Sequence, residues 1–140
     1  MFSTRRFLGM LLLAAVVAGC DDEPTPISPG PIDPKTDSFA GAVTQNGASM
    51  HTFEVSGGGP IRATLKQIGT DNTLVVGLDL GNWNSVNSTC QIVLAKVDAT
   101  AESIVQGTMT GIGTLCVRIY DVGNITGSTP VPYTVEVVHP

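Results

Sequence analysis

The stretch Pro60-Ile61-Arg62-Ala63-Thr64-Leu65-Lys66 sets the fold class. Ile61, Ala63 and Leu65 alternate with Arg62, Thr64 and Lys66. A strand with one buried face requires that period of two, because successive side chains leave opposite faces. The same parity recurs on either side. Leu74, Val76, Leu78 and Leu80 share one face, as do Leu115, Val117 and Ile119, and then Tyr133, Val135 and Val137. Weaker alternation over residues 39–44, 50–55, 90–97 and 103–106 brings the expected number of short strands to about eight.

Turn-forming sequences fall between these segments: Gln45-Asn46-Gly47, Gly57-Gly58-Gly59-Pro60, Gly69-Thr70-Asp71-Asn72, Gly81-Asn82, Gly111-Ile112-Gly113 and Gly123-Asn124. Gly and Asn adopt positive φ readily, and Asp and Asn side chains close local turns. Turns at short, regular spacing without a sustained helical period predict an all-β domain. The expected form is an antiparallel β-sandwich, jelly-roll-like, over residues 37–140. A domain of that length can bury one core between two sheets.

The chain ahead of this domain has a different composition. Arg5-Arg6 precedes the apolar run Phe7-Leu8-Gly9-Met10-Leu11-Leu12-Leu13-Ala14-Ala15-Val16-Val17. A basic start, an apolar centre and small residues to follow make residues 1–19 an export signal, and the run is shorter than the ~20 residues that a membrane-spanning helix needs. Val17-Ala18-Gly19-Cys20 resembles the lipobox of bacterial lipoproteins. That resemblance implies cleavage before Cys20 and acylation of its thiol and amine, so Cys20 is the expected lipidation site. Several acyl chains hold a protein far more firmly than one, since each buried methylene contributes ~0.8 kcal/mol. The membrane, reached through this anchor, is the expected partner, and the bacterial cell envelope the expected location.

Residues 20–36 form the expected tether. Five of the nine prolines lie between Asp21 and Thr36. Proline favours extended chain at ~3.1 Å per residue, so this segment reaches at most about 50 Å.

The charge balance narrows the function. Seven Lys+Arg stand against twelve Asp+Glu, for a net charge of −5. Loss of Arg5 and Arg6 with the signal leaves five basic residues and a net charge of −7. Nucleic acid is not an expected partner, because phosphate neutralisation requires clustered cations.

Three cysteines divide into one anchor and one pair. With Cys20 assigned to lipid, Cys90 and Cys116 are left, and an exported protein favours a disulfide between them. Their parities conflict: Cys90 shares a face with Ile92 and Leu94, which read as inward, and Cys116 with Arg118 and Tyr120, which read as outward. A bulge or strand end has to reconcile them.

Gly113-Thr114-Leu115-Cys116-Val117-Arg118-Ile119-Tyr120-Asp121, followed by Tyr133-Thr134-Val135-Glu136-Val137, resembles the closing hairpin of bacterial pre-peptidase C-terminal domains. These are small jelly-roll-like sandwiches appended to secreted enzymes, and the likeness extends over most of residues 38–138. Where that family often carries Asp-x-Asp-Leu-Tyr-Leu, this chain has Ser88-Thr89-Cys90-Gln91-Ile92-Val93-Leu94.

Catalytic signatures are missing from the sequence. It contains no Gly-x-Ser-x-Gly elbow, phosphate loop, Cys-x-x-Cys or histidine metal motif, and no cofactor or enzymatic activity is expected. His51 and His139 read as solvated or edge residues. Asp71, Asp79 and Asp121 lack the spacing of a calcium loop and read as turn and surface carboxylates. Trp83, in the polar stretch Gly81-Asn82-Trp83-Asn84-Ser85-Val86-Asn87-Ser88, offers a ring with amide neighbours. Asn82, Trp83 and Asn84 are therefore the candidate ligand residues, and a glycan is the candidate ligand. The expected function is a non-enzymatic interaction or structural module facing an envelope protein, with carbohydrate binding as the alternative.

Overall fold

The computed structural model describes residues 33–140. The signal segment, Cys20 and the tether up to residue 32 lie outside the described residues.

Eight strands follow in order: β1 (Lys35–Val43), β2 (Ala48–Val55), β3 (Gly59–Ile68), β4 (Val76–Asn84), β5 (Thr89–Ala99), β6 (Ile104–Met109), β7 (Gly113–Tyr120) and β8 (Val131–His139). They form two four-stranded antiparallel sheets, ordered β1-β8-β3-β6 and β2-β7-β4-β5. Only β4 and β5 are consecutive strands paired with each other, and every other connection crosses between the sheets. This is the double-sheet jelly roll. The alternating residues of the opening stretch behave as expected: Ile61, Ala63 and Leu65 are buried, and Leu65 meets Val135 of β8 on the same face.

Inward residues of both sheets make one core, with Leu65, Ile68, Val76, Leu78, Val117, Ile119 and Val135 all fully buried. Each such side chain contributes about 1.5–3 kcal/mol relative to an exposed one.

Two expectations need correction. β7 and β8 do not form a closing hairpin, because they belong to opposite sheets and residues 121–130 carry the chain across. Asp121 organises the start of that crossing: its Oδ1 accepts from the backbone N–H groups of Gly123, Asn124 and Ile125, and its Oδ2 from that of Asn46. The domain also starts earlier than residue 37. β1 takes in Lys35 and Thr36, whose backbones pair with His139 and Val138, so two residues read as tether belong to the sheet.

The two ends of the sandwich differ. The connections at residues 56–58, 85–88 and 110–112 share one end with Lys35, where the chain enters β1. Those at 44–47, 69–75, 100–103 and 121–130 share the other.

Candidate functional site

β5 and β6 are edge strands of opposite sheets, and between them opens a cleft of about 310 Å³. Its walls are Ile61, Leu80, Leu94, Met109 and Leu115, with Val93 at the rim and Asn82, Thr108 and Thr110 as polar groups. No Asp, Glu, His, Lys, Arg, Cys or Tyr lines it. An apolar recess with a few amide and hydroxyl groups can hold an apolar group and orient its polar end. Such a lining provides no acid or base for proton transfer. Gly107 of β6 lets Leu94 approach that strand closely, since a Cβ there would sit 2.7 Å from Leu94 Cδ1.

The three residues of the expected glycan site do not form one platform. Trp83 is in β4, not in a loop, and pairs with Cys90 of β5. Asn82 pairs with Leu115 and lines the cleft, so adjacent Asn82 and Trp83 leave opposite faces of the sheet. Asn84 Oδ1 accepts from the Val86 N–H and closes the β4–β5 turn.

Cys90 and Cys116 form a disulfide. Val93 is the bulge that reconciles their parities, because Leu80 pairs with Leu94 and Gly81 with Ile92, leaving Val93 unmatched. The strand changes phase there. Leu94 faces inward while Ile92 and Cys90 face outward, which corrects the inward reading of both and puts Cys90 on the same face as Cys116.

That outer face carries a second polar feature. Asp79 is buried, which corrects its reading as a surface carboxylate, and its Oδ2 accepts from Arg118 Nε at 3.0 Å and from Arg118 Nη2. Arg118 lies 4.6 Å from the centre of the Tyr120 ring, and that ring rests on Gly77, where no Cβ would fit. Asp79 Oδ1 has no hydrogen-bond partner among the described residues. Sequence parity places Asp79 outside the core but gives no sign that its neighbours would cover it.

Both histidines sit at the opposite edge of the sandwich, where β1 and β2 meet; His51 is half-buried on an edge strand, and His139 is buried, which corrects its reading as solvated. His51 stacks on Phe39 at 4.9 Å, and its Nε2 is hydrogen-bonded with Tyr133 Oη at 2.7 Å. Burial pushes its pKa below the ordinary 6.5. Tyr133 Oη in turn donates to Ser49 Oγ at 2.6 Å, and burial raises the phenol pKa against that bond. His139 is 1% exposed, packs against Phe53, and reaches Asp37 Oδ2 through Nε2 at 3.0 Å. Burial opposes ionisation of Asp37, yet its bonds from His139 and Lys35 outweigh this and lower the carboxyl pKa. The seam between the sheets is closed here by stacked rings. The alternation of β2 and β8 contains that information, but it takes the pairing of both strands to see the rings meet.

Asp71 and Asp121 are turn carboxylates, as read. Asp71 Oδ1 accepts from the Thr73 N–H, and backbone donors lower the pKa of both. Among the described residues, no three His, Cys, Asp or Glu side chains converge as a metal site would need.

No known protein family and no curated protein matches this sequence.

Proposed function

We propose that this protein is a lipid-anchored component of the bacterial cell envelope, and that it presents its jelly roll as a non-enzymatic interaction module. The observation that carries the reading is the sequence Val17-Ala18-Gly19-Cys20 at the end of a basic-then-apolar leader, followed directly by a proline-rich stretch and then the folded domain. The cleft between β5 and β6 supports the second half of the reading. It is apolar and without titratable groups, and Ile92, Val93, Val97 and Ile104 are exposed along its two edge strands. β5 is blunted against strand addition by register shifts at Val93 in its middle and at residues 97–98 toward its end, and by Lys96 and Asp98, so a partner would engage side chains and not the backbone edge.

The anchor is tested by detergent phase partitioning of the full chain expressed in a bacterium. The protein should enter the detergent phase, and Cys20→Ser should move it to the aqueous phase. Unchanged partitioning of the variant would refute the anchor. For the module, Leu94→Asp should abolish crosslinking to envelope proteins while leaving partitioning intact.

A further inference from the structure

The loops at the two ends of the sandwich differ in chemistry. At the end where the chain enters β1, they read Ser56-Gly57-Gly58, Ser85-Val86-Asn87-Ser88 and Thr110-Gly111-Ile112, without one charged residue. The loops at the far end contain Asp71, Glu102 and Asp121 and no cation of their own, with Glu102 paired to Lys66 of β3 at 2.8 Å. Val86 is 95% exposed and Ile112 77%, the two most exposed large aliphatic side chains among the described residues. Each sits in a small neutral loop. On strands near this end Glu54 and Arg62 offset each other in charge, as do Lys35 and Asp37, which pair at 3.0 Å, and Asp33 is a further carboxylate just ahead of β1.

We infer that this end of the jelly roll rests on a lipid bilayer, with Val86 and Ile112 entering the interfacial layer. The inference rests on the anchor proposed above, because the chain that runs back to Cys20 leaves the domain at this same end, at Lys35. The length of the tether limits how far the domain can stand from the surface. Uncharged Ser, Gly, Asn and Thr lose little solvation among lipid headgroups, whereas carboxylates are repelled by anionic lipid, and here all three loop carboxylates are on the far side. An aliphatic tip gains about 0.8 kcal/mol per methylene removed from water, too little to hold a free protein but enough to orient a tethered one. A protein partner would favour a contiguous apolar patch with a hydrogen-bonding rim. Besides Val86 and Ile112, these loops consist of Ser, Gly, Asn and Thr.

The test uses full-length protein purified from membranes and reconstituted into vesicles of phosphatidylglycerol and phosphatidylcholine, with the phosphatidylcholine brominated on its acyl chains. In a Trp83→Phe background, single tryptophans are introduced by Val86→Trp, Ile112→Trp and, at the far end, Thr126→Trp. Positions 86 and 112 should lose about half their emission to the bromolipid and shift to the blue, while position 126 changes little. Adding Ile112→Asp to the Val86→Trp chain should weaken that quenching without altering flotation. Melting curves of each variant check that the fold survives, and quenching of native Trp83, near the same end, serves if Trp83→Phe does not fold. Equal quenching at all positions, or none at 86 and 112, overturns the inference whether or not the vesicles float the protein. Quenching at 86 and 112 without stable flotation would instead support this orientation while refuting the acyl anchor.

Discussion

Cys90 and Cys116 are joined although their strands are not neighbours: β4 runs between β5 and β7, and the two Cα atoms are nevertheless 5.8 Å apart. Strands on either side of a third stand about 9.5 Å apart in a flat sheet, at twice the usual spacing. The bridge is therefore possible only because β5 rides over the outer face of β4. It does so at Gly81, where a Cβ would lie 2.3 Å from Gln91 O and 2.8 Å from Gln91 C.

Gly81→Ala should be costly for that reason. The obstacle is backbone, which cannot rotate away, so the variant should lose about 1–3 kcal/mol and melt several degrees lower, at roughly 4–8 °C per kcal/mol. Thermal unfolding by circular dichroism checks this. An unchanged melting temperature would mean that β5 does not ride over β4.

The disulfide itself closes 26 residues of sequence separation, for which loop-closure entropy gives about 3.5 kcal/mol. Cys90→Ser/Cys116→Ser should fall in stability by that order in a urea titration. In denaturant, the oxidised protein should offer neither cysteine to a thiol reagent until reductant is added.

Tyr133 is the polar link across the β1/β2 seam, and its ring fills the space that Gly41 leaves, where a Cβ would be 2.5 Å from the phenol oxygen. Tyr133→Phe keeps the ring but removes the bonds to Ser49 and His51. Both partners are partly exposed and can turn to water, so the expected loss is about 1 kcal/mol. A loss above about 3 kcal/mol would show that the ring packing had also been disturbed.

Acid should weaken the same seam. The folded state binds a proton at His51 less tightly than the unfolded chain does, so the stability due to this ring is complete above pH 6.5 and is lost as pH falls below it. Asp37 has a lowered pKa, so its contribution holds above 3.8 and is lost below that value. Melting temperature followed from pH 8 downward should first fall just below 6.5, and His51→Gln should flatten that first step. A first step of equal size in the variant would assign it to another group.

The sheet content was legible in residues 60–66 and their counterparts because period-two alternation directly reports a half-buried strand. Strand partners were not legible. Nothing local in Gly113–Tyr120 or Val131–His139 says that they join opposite sheets, and the Asp121 turn that sends the chain across acts through backbone donors from two loops. The phase of β5 was hidden for a different reason. Ile92-Val93-Leu94 is apolar throughout, so no alternation marks which residue is the bulge. The cleft draws on β3, β4, β5, β6 and β7 and becomes visible only once those strands are brought together. His139 and Asp79 were misplaced because burial of a polar group depends on its partners, Asp37 and Arg118, which are distant in sequence.

Whether the jelly roll is held to a membrane through Cys20 is decided by mass spectrometry of the N-terminal peptide from the membrane fraction. The peptide should begin at Cys20 and carry diacylglycerol on the thiol. A peptide that contains Cys20 internally, with an unmodified thiol, would overturn the proposed anchor.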